Sequence, residues 1–190
     1  MSQEMEYESK NLLTKLEYDT LCKYLNHTNI KPKVQINYYF ETDNFALKKQ
    51  GAALRIREKN GHYVLTLKQP YQDGLLETHN KITHDTLQLW LRNEITSIPN
   101  IDSKLNELSI SRDKIKYGGQ LLTERIEVNQ FDALIVLDKS KYNHKIDYEL
   151  EVEASSKEKA EQVLNQLLEM YQIEKKHTPN KIARFYQSLQ

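Results

Sequence analysis

Apolar positions along this chain switch between a two-residue and a 3.6-residue period, and each switch marks a change of element. Met5 to Leu12 reads as a strand, and a helix follows from about Lys15 to His27, opened by a Thr14/Glu17 capping box. Lys33 to Thr42 is rich in β-branched and aromatic residues and predicts a second strand. Ala52 to Glu58 and His62 to Gln69 alternate cleanly around Lys59-Asn60-Gly61, a hairpin with Asn-Gly in its turn. Leu75 to Ile82 is a further strand, Thr83 to Ile98 a helix, and Ser103 to Glu107 a shorter one. In the second half, Lys114 to Tyr117 and Leu121 to Asn129 predict a hairpin turning at Gly118-Gly119. Leu134 to Lys139 and Lys145 to Ala154 predict another. A Ser155/Glu158 capping box opens a helix to about Ile173, and Pro179 begins a short C-terminal helix. No linker, repeat or low-complexity stretch intervenes, which predicts one domain over residues 1–190. The fold class is α+β: about eight strands in an antiparallel sheet with helices outside.

The polar half of the alternation carries the chemistry. Residues two apart on a strand share a face, roughly 6.6 Å from each other. Glu6, Glu8 and Lys10 therefore share one face of the first strand. Arg55 and Arg57 lie opposite Leu54 and Ile56, and Lys68 lies opposite Leu65 and Leu67. Arg125 shares a face with Thr123 and Glu127, and Glu149, Glu151 and Glu153 lie opposite Leu150 and Val152. A one-sided sheet with a solvated charged face explains any single strand. It does not explain the grouping of like charges within strands, because like-charged neighbours repel. An eight-stranded antiparallel sheet can instead close into a barrel. Its apolar faces then pack outward on helices, and its charged faces line a tunnel.

Such an interior needs counter-charge, since desolvating a carboxylate costs several kcal/mol. The glutamates call for hard cations such as Mg²⁺ or Mn²⁺. The arginines and lysines call for anions, with guanidinium forks matching phosphate oxygens. Triphosphate with Mg²⁺ or Mn²⁺ is the simplest ligand that satisfies both.

These residues resemble a known family. Glu6-x-Glu8-x-Lys10 resembles the ExExK signature of CYTH domains, the triphosphate tunnel metalloenzymes. LRIR (Arg55, Arg57), LTLK (Lys68), Glu77, TER (Arg125), VLD (Asp138), ELEVE (Glu149, Glu151, Glu153) and NKIAR (Lys181, Arg184) follow in the family's order. The pattern is similar to the small CYTH proteins of bacilli and staphylococci. The resemblance implies an eight-stranded β-barrel tunnel and divalent-metal-dependent hydrolysis of a triphosphate. It implies Glu6, Glu8, Glu149, Glu151, Glu153 and Asp138 as metal ligands, and Lys10, Arg55, Arg57, Lys68, Arg125, Lys181 and Arg184 as phosphate contacts. Lys10, Glu8 and Glu151 would act closest to the reacting phosphate, and Glu77 would pair with an arginine. Two alternatives stay open: an adenylate cyclase of the same tunnel type, and a non-catalytic binder of triphosphate or polyphosphate.

Composition narrows the rest. Lys+Arg and Asp+Glu are both 27, so the formal net charge is zero, and the overall basic field of a DNA binder is absent. No apolar run reaches membrane-spanning length. The acidic MSQEMEYESK start is no secretory signal, and a single cysteine, Cys22, allows no internal disulfide. A cytoplasmic monomer or homodimer acting on a small triphosphate compound is expected. His27, His62, His79, His84, His144 and His177 show no zinc-ligand spacing, and His79 and His84 read as surface residues. Most of the twelve tyrosines, for example Tyr38, Tyr148 and Tyr171, fall on apolar faces and read as core, Trp90 as core or a helix–barrel contact, and Cys22 as a packed thiol.

Overall fold

The computed structural model describes residues 2–25 and 30–189. The elements run β1 (Ser2–Leu13), α1 (Lys15–Leu25), β2 (Lys33–Thr42), α2 (Ala46–Lys49), β3 (Ala53–Lys59), β4 (His62–Tyr71), β5 (Gly74–Ile82), α3 (His84–Leu91) and α4 (Pro99–Glu107). Then come β6 (Ile115–Gln130), β7 (Ala133–Tyr142), β8 (Lys145–Ala154), α5 (Lys157–Met170) and α6 (Lys181–Gln187). The strands close into a barrel in the order β1-β5-β4-β3-β2-β6-β7-β8. The expected end of α1 at His27 falls outside the described residues.

The chain divides into two compact units, Met1–Met5 with Gln35–Leu121, and Glu6–Val34 with Leu122–Gln190. In the first, β3 and β4 pair around Asn60 and Gly61, at φ 52° and 72°. Positive φ at both central residues gives the turn whose twist matches its strands, and glycine adopts it without strain. Leu54, Ile56, Leu65, Leu67 and Phe40 form a buried face beneath Leu87 and Trp90 of α3 and Ile101 and Leu105 of α4. Trp90 meets Phe40 edge-on at 5.1 Å and donates its indole N–H to Thr96 at 2.9 Å, so the tryptophan is core.

In the second unit, β1 pairs with β8, and β7 pairs with both β6 and β8. Ile135, Leu137, Leu150 and Val152 pack against Leu21 and Leu25 of α1 and Val163, Leu164 and Leu167 of α5. The predicted capping box opens α1: the Glu17 N–H donates to Thr14 Oγ1 at 3.2 Å, and the Thr14 N–H to Glu17 Oε2 at 2.6 Å. Half-buried Cys22 packs beside this core as a free thiol.

Four local expectations are corrected. The predicted Thr83–Ile98 helix stops at Leu91, because Asn93 turns left-handed (φ 65°) and Asn93 and Glu94 return their N–H groups to Trp90 and Leu89. The next helix starts at Pro99 rather than Ser103. Lys114 to Asn129 is no hairpin: β6 runs unbroken through Gly118-Gly119, which Gly119 permits by adopting φ 127°. The cap of α5 is Ser156, not Ser155, and accepts from the Lys159 N–H.

Candidate functional site

Alternation puts the charged residues on the strand faces opposite these two cores, and in a closed barrel that side is the inside. Each unit carries its own charged cluster.

In the second unit, cross-strand register builds the cluster. Glu8 faces Glu153 and Lys10 faces Glu151 across β1 and β8. Asp138 faces Arg125 on one side and Glu149 on the other. Arg125 grips Asp138 with two bonds, Nε to Oδ1 at 2.8 Å and Nη2 to Oδ2 at 2.7 Å, and also reaches Glu151 at 2.9 Å. Asn180 caps α6, which aims Lys181 and Arg184 at the same carboxylates. Lys181 contacts Asp138 and donates to Glu151 at 3.2 Å. Arg184 donates to Glu149, to Asp147 at 2.9 Å and to the Pro179 carbonyl at 2.6 Å. Lys10 pairs with Glu8 at 2.6 Å.

The electrostatics separate these carboxylates. Burial opposes charge on Asp138 and Glu151, but Lys181 and Arg125 outweigh it and hold both below the ordinary range. Burial likewise opposes charge on Lys10, yet Glu8, Glu151 and Glu149 raise it. Glu153 goes the other way: burial, then the charges of Glu6, Glu151 and Glu8, push it up to about 7 despite Arg125. Glu149 also rises to about 7, chiefly by burial, and its Oε1 is buried without a hydrogen-bond partner. Carboxylates that resist ionising together form an all-oxygen donor set suited to a hard divalent cation. Negative charge crowds most at Glu153, where Glu6, Glu151 and Glu8 all act on it.

In the first unit, Arg55 and Arg57 on β3 and Lys68 on β4 surround Glu77 on β5, with Lys68 and Glu77 directly opposed. Glu77 Oε1 lies 3.4 Å from Lys68 Nζ and 3.7 Å from Arg55 Nη2. Burial would raise Glu77, but Arg55, Lys68, His79 and Arg57 hold it at about 2. Arg57 donates Nε–H to Asn37 at 2.9 Å. His79, expected at the surface, belongs to this cluster: Nδ1 lies 2.9 Å from Thr66 Oγ1, and Nε2 lies 3.1 Å from Glu4 and 3.4 Å from Glu77. The signal for it was available, since residue 79 shares the strand face of residue 77. Glu4, Glu77 and His79 also bring ligand atoms within 4.8 Å of one another, a grouping that could hold a metal ion.

A closed antiparallel barrel whose inward strand faces carry sorted carboxylates and guanidinium groups defines a class of tunnel protein that holds charged ligands. The chain belongs to the CYTH domain family, whose sequence profile matches residues 4–186. It is 44% identical over 189 residues to "Putative triphosphatase YjbK" of Bacillus subtilis (strain 168), spanning 98% of this chain and 97% of that one. Among solved structures it resembles a "putative adenylate cyclase" of Bacillus halodurans, with a TM-score of 0.90 and 39% identity over 98% of this chain and 100% of that one. The barrel is shared with the "Putative adenylyl cyclase HpAC1" from Hippeastrum, described as having a dominant triphosphatase activity, with a TM-score of 0.75 and 22% identity over 96% and 95% of the two chains. Among the described residues no helix is long and apolar enough to cross a membrane.

Proposed function

We propose that this protein hydrolyses a triphosphate inside the barrel with the help of Mg²⁺ or Mn²⁺, in the cytoplasm. The observation that carries the reading is the sorting of charge on inward strand faces: carboxylates on β1 and β8, and guanidinium and ammonium groups on β3, β4 and β6. The near full-length likeness to a protein named as a triphosphatase supports the same reading.

Glu6, Glu8 and Glu153 would hold the metal, with Glu149 and Glu151 as further donors. When bound, the ion supplies relief of phosphate charge and a lower pKa for an attacking water. Arg55, Arg57 and Lys68 would bind non-bridging phosphate oxygens, the work that dominates phosphoryl transfer. Arg125, Lys10 and Lys181, standing among the carboxylates, would neutralise charge developing on the reacting phosphate. Asp138 is assigned to holding Arg125 and Lys181 in place, and Arg184, whose guanidinium serves Glu149, Asp147 and a main-chain carbonyl, to seating α6. Water adds to the terminal phosphorus, the bond to the bridging oxygen breaks with its electron pair kept on that oxygen, and orthophosphate, the diphosphate leaving group and the proton lost from water are released.

Cyclisation of ATP is the second reading, favoured by the name of the Bacillus halodurans relative. One assay separates them: phosphate release from inorganic triphosphate, ATP and thiamine triphosphate with Mg²⁺ or Mn²⁺, with cyclic AMP measured alongside. Orthophosphate without cyclic AMP is expected. Cyclic AMP plus pyrophosphate, or no turnover of any triphosphate, overturns the proposal.

A further inference from the structure

The hairpins β3–β4, β6–β7 and β7–β8 each turn on two residues at positive φ. Asn60 and Asn143 open the first and last of these, and asparagine tolerates the left-handed region. The β6–β7 turn instead holds Phe131 at φ 58°, followed by Asp132 at 56°. A bulky aromatic there is strained, and such strain points to function where packing does not account for it. Packing does not: Phe131 is 38% exposed, and both it and Leu134 stay outside the two cores. What they border is a cavity of about 510 Å³, lined by residues 129–134 and by Glu153, all in the second unit. Its placing follows from register. Asn129 faces Leu134, Leu134 faces Glu153, and Glu153 faces Glu8, so these four share one side of the sheet. Leu134 therefore stands on the charged side, opposite the core residue Ile135. Phe131 and Leu134 give the cavity an apolar wall, and Asn129, Gln130 and Asp132 give it hydrogen-bonding groups without a cation. An aromatic face stacks a flat heterocycle, and carboxylate and amide oxygens accept from its amino groups. The volume is that of a small-molecule site.

We propose that Phe131 is a specificity-determining residue: with Leu134 it forms a subsite at the β6–β7 turn for the amino-bearing nitrogen heterocycle of an organic triphosphate. The inference rests on the triphosphate reading above and adds the part of the substrate that inorganic triphosphate lacks. Glu153 belongs both to the cavity and to the carboxylate cluster, so a ring held against Phe131 leaves its phosphate chain beside the carboxylates. The strained turn fixes the phenyl ring at the cavity instead of letting it fold into a core.

The experiment compares ATP and thiamine triphosphate, which carry such rings, with inorganic triphosphate, which has none. KM and kcat are read for each, with Kd measured by calorimetry. Phe131→Asn should raise KM and Kd for the two ring-bearing compounds about tenfold, the scale of one stacked ring, and those for inorganic triphosphate by less than about twofold. Phe131→Tyr, which keeps the aromatic face, should behave as wild type. Leu134→Ala should shift the ring-bearing compounds in the same direction and keeps the test available if Phe131→Asn does not fold. Phe131→Asn should also hold or raise Tm, because asparagine suits the turn better. A fall in Tm with unchanged KM and Kd marks the phenyl ring as packing and overturns the inference. Equal losses for inorganic triphosphate and the ring-bearing compounds overturn it too, and both results leave the hydrolase reading intact. A loss confined to one ring-bearing compound supports the subsite and names its heterocycle. Wild-type protein that binds these triphosphates without cleaving them overturns the hydrolase reading alone, and the Kd ratios still report on Phe131.

Discussion

Arg125 and Asp138 face each other across the β6–β7 pair, and the guanidinium holds the carboxylate through two bonds of 2.8 and 2.7 Å. Lys181 closes on the same carboxylate, so one fully buried aspartate compensates two cations. Asp138→Asn should cost about 3–5 kcal/mol, since removing one partner strands buried charge. Urea denaturation of the folded variant measures it. A loss below 1 kcal/mol would show that the cations rehydrate freely.

Glu77 ties a pH dependence to the first unit. Its folded pKa of about 2 lies below the ordinary 4.5, so its ionised form stabilises the fold. That contribution is fully present above pH 4.5 and is lost as pH falls through about 2. The stability gap between wild type and Glu77→Gln should therefore shrink steadily over this window. Chemical denaturation at several pH values reads the slope, and a gap that widens toward acid contradicts the ion-pair account.

Glu8 and Glu153 stand opposite each other at the crowded end of the carboxylate cluster. Glu8→Gln and Glu153→Gln should each lower triphosphate turnover at least about a hundredfold and shift half-maximal activity to higher Mg²⁺ or Mn²⁺. Turnover against metal concentration checks both effects. Retained wild-type activity in both variants removes these residues from the metal site.

Glu41 is a buried carboxylate that caps α2, accepting from the N–H groups of Thr42, Leu47 and Lys48 at 2.7, 3.0 and 2.9 Å. Glu41→Gln should destabilise by about 1–3 kcal/mol, because buried donors lose a charged acceptor. Triphosphate turnover at 25 °C should be unchanged, and a Tm measurement with a parallel rate assay separates the two.

Much of this was legible in residue order. Lys33–Thr42 was delimited correctly because its β-branched and aromatic run has no competing period. The placing of charges on the strand faces opposite the apolar cores was legible because a strand has only two faces. Other features depended on contacts distant in sequence. The end of α3 rests on one asparagine tolerating a left-handed conformation, a choice that a continuous apolar stripe conceals. The role of Asp138 is set by register with Arg125, thirteen residues earlier on another strand. The aims of Lys181 and Arg184 depend on where α6 docks, which no local period encodes. Glu41 was missed because a carboxylate capping a helix begun five residues later leaves no local pattern.

The pairing of β1 with β8 also bears on synthesis. Tyr7 meets its β8 partner Ala154 only after 147 further residues are made, so this edge of β1 waits for β8. At 5–20 residues per second, that delay is roughly 7–30 s, ample time for the β3–β4–β5 meander to form first. Through that interval β5 is already available to one edge of β1, while the edge meant for β8 stays open beside Met5, Tyr7 and Leu13. The acidic residues alternating with them then act as gatekeepers against aggregation before they serve any ligand.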